Sequence, residues 1–333
     1  MWSYPPTLAF SGHETFPFRY AWLKKGLDAA ADDPAVFRRD EALTALGVGK
    51  NMVRSIRHWC LAAGVIEEVG GGSRRPSGCF RPTPFGRALL ADDGWDPYLE
   101  DPATPWLLHW QVASNARRCT TWFWAFSHYH EPEFTRDALF AALLTWAQAA
   151  GARRLAANSL RRDIDCFLRT YVPSRQTKVL LLEDTLDCPL VELGLLRATP
   201  GRPAFQFNRG AQPHLPDGVF CYAALDFWGR FAGAARTLSL ADLARQPGSP
   251  GQLFKLDESS LADRCARLER WTGGAVGYDE TAGLRQLYRR GCCASPWRAP
   301  AVRRRTSTRR STRCAGGRWW CSGATQLNHA GQG

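Results

Sequence analysis

Between residues 51 and 63, apolar positions fall at Val53, Ile56, Cys60 and Ala63. The spacing i, i+3, i+7, i+10 puts them on one face of an α-helix. Gly64 supplies a C-terminal stop. Upstream, Asp40 is placed to cap a short helix over 41–46, and residues 47–50 make a four-residue turn. Downstream, residues 65–69 and 79–83 alternate as two strands around a Gly/Ser/Arg loop, and 85–90 reads as a short helix. Helix, turn, helix, strand, loop, strand is the order of a winged helix-turn-helix. Residues 18–26 predict a further helix packed on this unit.

A second unit repeats the pattern. Thr135 caps a helix over 136–150, with Phe134 and Leu139 spaced as a hydrophobic staple. Ser159 is placed to cap a helix over 160–171, where Leu160, Ile164, Phe167, Leu168 and Tyr171 share a face. Residues 189–194 predict a short helix and 204–207 a strand, so this unit reads as a second winged helix. Trp106, Trp110, Trp122 and Trp124 form a stripe expected to be core between the two units. Residues 215–290 predict helices. The expected fold class is mainly α with small β-hairpins (α+β). Its expected parts are 1–100, 101–212, 213–290 (a helical region) and a tail, 291–333.

Composition then changes two points. The net charge of the 333 residues is +12. Residues 292–333 hold eight arginines and no acid, so removing that tail leaves +4 for residues 1–291. The body is only mildly basic, and whole-chain charge argues weakly for a nucleic-acid partner. The tail's three tryptophans and four cysteines favour a segment translated out of frame over a disordered basic arm, and it is set aside from the fold. The N-terminus has no signal-peptide pattern and no apolar run approaches a membrane span, so a cytoplasmic protein without membrane contact is expected. The seven body cysteines are widely spaced with no C-x-x-C pair, and are expected as small core residues.

Candidate chemistry concentrates on the helix over 51–63. Asn51, Arg54, Ser55 and His58 lie on the face away from the core, with Lys50 at the N-terminus and Arg57 at the margin. Arginine bonds two acceptors of guanine, asparagine pairs with adenine, and lysine at a helix N-terminus suits a phosphate. Arg74 and Arg75 fall at the tip of the presumed wing, within reach of a phosphate or a narrow minor groove. These residues predict contact with double-stranded DNA. In the second unit Arg161, Arg162 and Arg169 are mixed with Asp163 and Asp165, which weakens the same reading there.

Enzyme motifs are mostly absent. Gly47-Val-Gly-Lys50 imitates the end of a phosphate-binding loop, but Thr44 stands where the earlier glycine belongs and Asn51 where Ser/Thr belongs. No H-E-x-x-H or G-x-S-x-G occurs. The residues two before the five lysines are Trp22, Leu23, Val48, Gln176 and Leu253, so no acid-x-Lys or His-x-Lys nuclease signature exists. The remaining catalytic candidates are His13 and Glu14, side by side ahead of Arg19, able in principle to bind a metal or move a proton. The plainer alternative, that they cap a helix start, is preferred. No cofactor is evident, and oligomeric state is left open.

Several strings resemble the domain-of-unknown-function 4007 family. They are Phe10-Ser-Gly-His-Glu-Thr-Phe, Trp22-Leu-Lys-Lys, Leu46-Gly-Val-Gly-Lys-Asn-Met-Val-Arg-Ser-Ile-Arg-His-Trp, Asp93-Gly-Trp-Asp-Pro-Tyr-Leu-Glu-Asp-Pro and Asp187-Cys-Pro-Leu-Val-Glu-Leu-Gly. Pro247-Gly-Ser-Pro-Gly and Tyr278-Asp-Glu-Thr-Ala-Gly-Leu-Arg agree. The resemblance spans about residues 8–290 and stops at the tail. It implies a role in bacterial DNA phosphorothioation and defence, with a cysteine desulfurase, an ATPase and a sulfurtransferase as partner subunits. It also implies DNA binding and nicking of one strand, which would call for Mg²⁺. It implies no catalytic residues. The alternative is a non-catalytic adaptor whose winged units bind protein partners.

Overall fold

The computed structural model describes residues 8–69, 78–152, 155–173, 188–281 and 283–290. These fold as helices with three small antiparallel sheets. Arg74, Arg75 and the tail 291–333 lie outside the described residues.

The first part runs α1 (Tyr20–Asp32), α2 (Ala42–Leu46), α3 (Lys50–Ala62), β1 (Ile66–Val69), β2 (Cys79–Pro82) and α4 (Pro84–Leu90). Gly47 at φ 64° makes the turn between α2 and α3, a conformation glycine adopts at low cost. The strands β1 and β2 pair antiparallel from Ile66 with Pro82 to Val69 with Cys79. Thr83 caps α4 by accepting from Gly86 N at 2.8 Å. Asp40, expected as the cap of α2, is not one: Glu41 occupies the N-cap and makes no side-chain cap bond.

Two further helices, α5 (Ala103–Ala113) and α6 (Thr120–Ser127), are apolar almost all round and correspondingly buried on nearly every side. They carry the Trp stripe into the core, where Trp106, Trp110, Trp122 and Trp124 are all buried. Six of the seven described cysteines are buried with them, as small core residues.

The second part is β3 (Glu133–Thr135), α7 (Arg136–Ala149), α8 (Ala157–Tyr171), β4 (Leu196–Ala198) and β5 (Ala204–Phe207), in sheet order β3-β5-β4. Thr135 caps α7, accepting from Ala138 N at 3.1 Å, and Phe134 and Leu139 are both buried. The expected cap at Ser159 is displaced. Helix α8 begins three residues earlier than its apolar stripe suggests, with Ala156 at the N-cap and no side-chain cap bond.

Residues 213–290, expected as helices alone, instead include a sheet. After α9 (Asp217–Phe231) come β6 (Thr237–Ser239), α10 (Leu240–Arg245), α11 (Pro250–Leu253), α12 (Glu258–Trp271), β7 (Val276–Thr281) and β8 (Leu284–Arg289). The sheet order is β6-β8-β7. A strand leads into helices, and the second strand of a closing hairpin pairs back on it, as in β3-β5-β4. The first part has the same plan with its leading strand reduced to one bond, from Phe80 N in β2 to Pro34 O at 2.7 Å.

Candidate nucleic-acid interface

Helix α3 divides into two faces. Val53, Ile56, Trp59 and Cys60 are buried, and Gly26 of α1 approaches so closely that a Cβ there would meet Cys60 Sγ at 2.4 Å. The opposite face presents Lys50, Asn51 and Arg54 to solvent, with Arg57 half-buried beside them. Two expected members of that face point elsewhere. Ser55 is buried and donates to Phe16 O at 3.4 Å, an acceptor it shares with Trp59 Nε1 at 2.8 Å. His58 packs under Gly12, where a Cβ would lie 2.5 Å from its Nδ1. It makes edge contacts with the rings of His13 and Trp59 and lies 3.9 Å from Cys119 Sγ. Burial, with Arg118 and Arg57 nearby, holds the His58 pKa down at about 3. Neither stands open to solvent as expected, because the loop over residues 11–16 packs against both.

That loop is where His13 and Glu14 sit. Ser11, Glu14 and Thr15 all have positive φ, at 66°, 48° and 71°, a region that side chains with a Cβ rarely adopt. A buried polar network fixes it. His13 Nε2 meets Asp163 Oδ1 at 2.8 Å, and His13 Nδ1 accepts from Thr15 N at 3.0 Å. The same carboxylate accepts from Ser11 N and, through Oδ2, from Thr121 Oγ1 at 2.7 Å. Both nitrogens of the ring are therefore used, and His13 and Asp163 are each 1% exposed. Glu14 is partly open and lies 3.6 Å from Arg54, which keeps 48% of its side chain exposed. Arg169 of α8 donates to Thr15 O. Arg19 occupies the N-cap of α1, with its guanidinium 5.6 Å from the Trp22 ring centroid.

Sequence reasoning named His13 but missed Asp163 as its partner, Thr121 as a second donor to that carboxylate, and Arg169 as a neighbour of the loop. A pairing across 150 residues leaves no local spacing to read.

The family model described as "Protein of unknown function (DUF4007)" matches residues 10–297, and the chain belongs to that family. In three dimensions it is similar to a crystal structure of SspB, with a TM-score of 0.76 and 32% identity over 84% of this chain and 83% of that one. A magnesium ion-bound SspB crystal structure gives the same TM-score at 31% identity over the same shares. No curated protein matches the chain.

The magnesium-bound relative raises the question of a metal seat here. Among the described residues no group of three or more His, Cys, Asp or Glu side chains could hold an ion. Asp163 already accepts from three protein donors, and Glu14 faces an arginine. These residues do not fit a Mg²⁺ site.

Proposed function

We propose that the protein is the DNA-binding component of a DNA phosphorothioation defence system and holds duplex DNA on the open face of α3. Family membership and the likeness to SspB support the system. The observation that carries the DNA contact is the solvent-exposed run Lys50, Asn51 and Arg54, with Arg57 at its edge, on the second helix of a helix-turn-helix followed by a hairpin. In this reading the first part acts as a winged helix. Arg54 and Arg57 reach base edges or phosphates, Asn51 reads a base, and Lys50 meets a phosphate beside the helix N-terminus. Ser55 and His58 take a supporting role, holding the 11–16 loop. Arg74 and Arg75, which follow β1 in the sequence, are the further candidates for this contact. The cysteine desulfurase, ATPase and sulfurtransferase of the system are the expected protein partners. Among the described residues no helix is long and apolar enough to cross a membrane.

Fluorescence anisotropy with a labelled duplex tests the reading. An Arg54→Ala/Arg57→Ala variant should bind at least about tenfold more weakly, with a log–log salt slope lower by about one for each phosphate contact removed. An unchanged affinity and slope reject the assignment. An adaptor that leaves DNA to another subunit shows no duplex affinity even at low salt.

Strand nicking has a separate test, relaxation of supercoiled plasmid with Mg²⁺ or Mn²⁺. Activity retained in a His13→Ala/Glu14→Ala variant removes those residues from any cleavage role.

A further inference from the structure

A cleft of about 650 Å³ opens between the first turn of α7, the end of α8 and the β4–β5 hairpin. Two chemistries meet in it. Arg136, Arg169 and Arg202 supply three guanidinium groups, and Val172, Pro203 and Phe205 supply an apolar wall. The side chains of Arg136 and Arg202 are 58% and 73% exposed. Among the described lining residues the one acid, Asp137, is 3.2 Å from Arg161 of α8. Arg136 touches Asp165 at 3.0 Å, and Arg202 lies 3.7 Å from Glu133. Such exposed pairs are worth less than about 1 kcal/mol, so a stronger anion displaces them readily.

The cleft is also joined to the α3 face. Arg169 lines it and donates to Thr15 O, while Glu14, one residue away, faces Arg54. From Arg54 to Arg169 the route crosses a single dipeptide. The volume lies in the range of roughly 300–1,000 Å³ that holds small organic ligands. Guanidinium forks match phosphate geometry, and a base face stacks on an aromatic ring or an arginine plane. A base held in a duplex keeps its faces in the stack and cannot do so.

We propose that this cleft receives one unpaired nucleotide of DNA, its phosphate on Arg136, Arg169 and Arg202 and its base against Phe205 and Pro203. The route by which the strand arrives rests on the reading of α3; the chemistry of the cleft does not.

The experiment uses a fluorescein-labelled ten-residue oligothymidylate, which forms no duplex with itself. Wild-type protein should bind it. An Arg136→Ala/Arg202→Ala variant should lose at least about tenfold, because each hydrogen bond to a charged group contributes about 1.5–3 kcal/mol. An Arg136→Lys/Arg202→Lys variant, which retains the charge, should recover part of the loss, separating contact from any change in folding. The Arg54→Ala/Arg57→Ala variant should retain oligothymidylate binding while losing duplex binding. If the duplex arm fails and the cleft-dependent arm holds, the α3 reading falls alone. Thymidine monophosphate that competes as well as the oligomer, nucleotide for nucleotide, makes the ligand a free nucleotide in the same cleft. No binding of the oligomer, or equal binding by the alanine variant, overturns the proposal.

Discussion

His13 Nε2 and Asp163 Oδ1 stand 2.8 Å apart across 150 residues of chain, and that bond ties the first part of the fold to the second. Because Nδ1 accepts from Thr15 N, Nε2 carries the proton and donates it to the carboxylate. Asp163 thus accepts three donors, from Ser11, His13 and Thr121. The three left-handed residues of the loop persist because this network holds them, and such conformations cost about 1–3 kcal/mol each.

Asp163→Ala should be among the most damaging single changes. It strands three buried or half-buried donors, at about 1–3 kcal/mol apiece. The expected loss is 3 kcal/mol or more by urea unfolding, and Asp163→Asn, which keeps an acceptor for part of the set, should lose less. A loss under about 1 kcal/mol for Asp163→Ala would show that the loop is held by something else.

Gly86 makes a second sharp case. It sits in the first turn of α4, and a Cβ there would lie 2.1 Å from Val65 O and 2.8 Å from Val65 C. The obstacle is backbone at the base of the hairpin, so it cannot swing aside. Gly86→Ala should destabilise by about 3 kcal/mol, the upper range of overpacking costs, and lower the thermal midpoint by several degrees. Duplex affinity per folded molecule should be unchanged, since α4 is not part of the α3 face. An alanine variant as stable as wild type would mean that the helix sits further from the hairpin.

Elements with their own local periodicity were readable in the sequence. The stripe Val53, Ile56, Cys60 located α3 to within a residue, Thr135 and Phe134 located the start of α7, and the Trp stripe proved to be core. Short strands were not: β3, β4 and β6 have three residues each, too few for an alternation to register. The β7–β8 hairpin was missed for a different reason. Val276-Gly-Tyr-Asp-Glu-Thr is largely exposed past its first two residues, so it lacks the buried face that marks a strand. At the site, periodicity placed Ser55 and His58 on the side of α3 away from its core. Only the fold shows that residues 11–16, brought there by Asp163, lie over them.

Three histidines give the protein an acid-sensitive stability. Burial lowers His58 to about 3, and His109 and His128 to about 4 each. His109 is enclosed between Tyr171 Oη and Leu253 O, both at 2.8 Å. In the unfolded chain these rings protonate near 6.5, while in the native state they stay neutral until about 4. The unfolded state therefore binds more protons as pH falls through 6.5, and stability drops, by up to about 1.4 kcal/mol per pH unit for each ring. Above 6.5 their contribution is constant. The thermal midpoint should fall by several degrees from pH 7 to pH 5, a window that mostly precedes carboxylate protonation. A midpoint flat across that window would contradict the burial of these rings.

Lys255 titrates in the opposite half of the scale. Its side chain is buried, donating to Phe126 O at 2.8 Å, with Nζ 4.2 Å from the Phe207 ring centroid. Desolvation first, and Arg209 second, bring its pKa down to about 7. An unfolded lysine stays protonated to about 10.4, so between pH 7 and that value the unfolded state binds the extra proton and native stability rises with pH. Lys255→Met keeps a long apolar side chain in the same space and removes the titration. It gives up one bond to a carbonyl, worth about 1 kcal/mol, and avoids the cost of burying an amine. Measured by urea unfolding in reducing buffer, the stability of the variant relative to wild type should be higher at pH 7 than at pH 9. The difference should change by about 2 kcal/mol over that interval. Comparing the two proteins at each pH cancels the cysteines and tyrosines that also titrate there. If the gap between them is the same at both values, Lys255 is not held neutral by the fold.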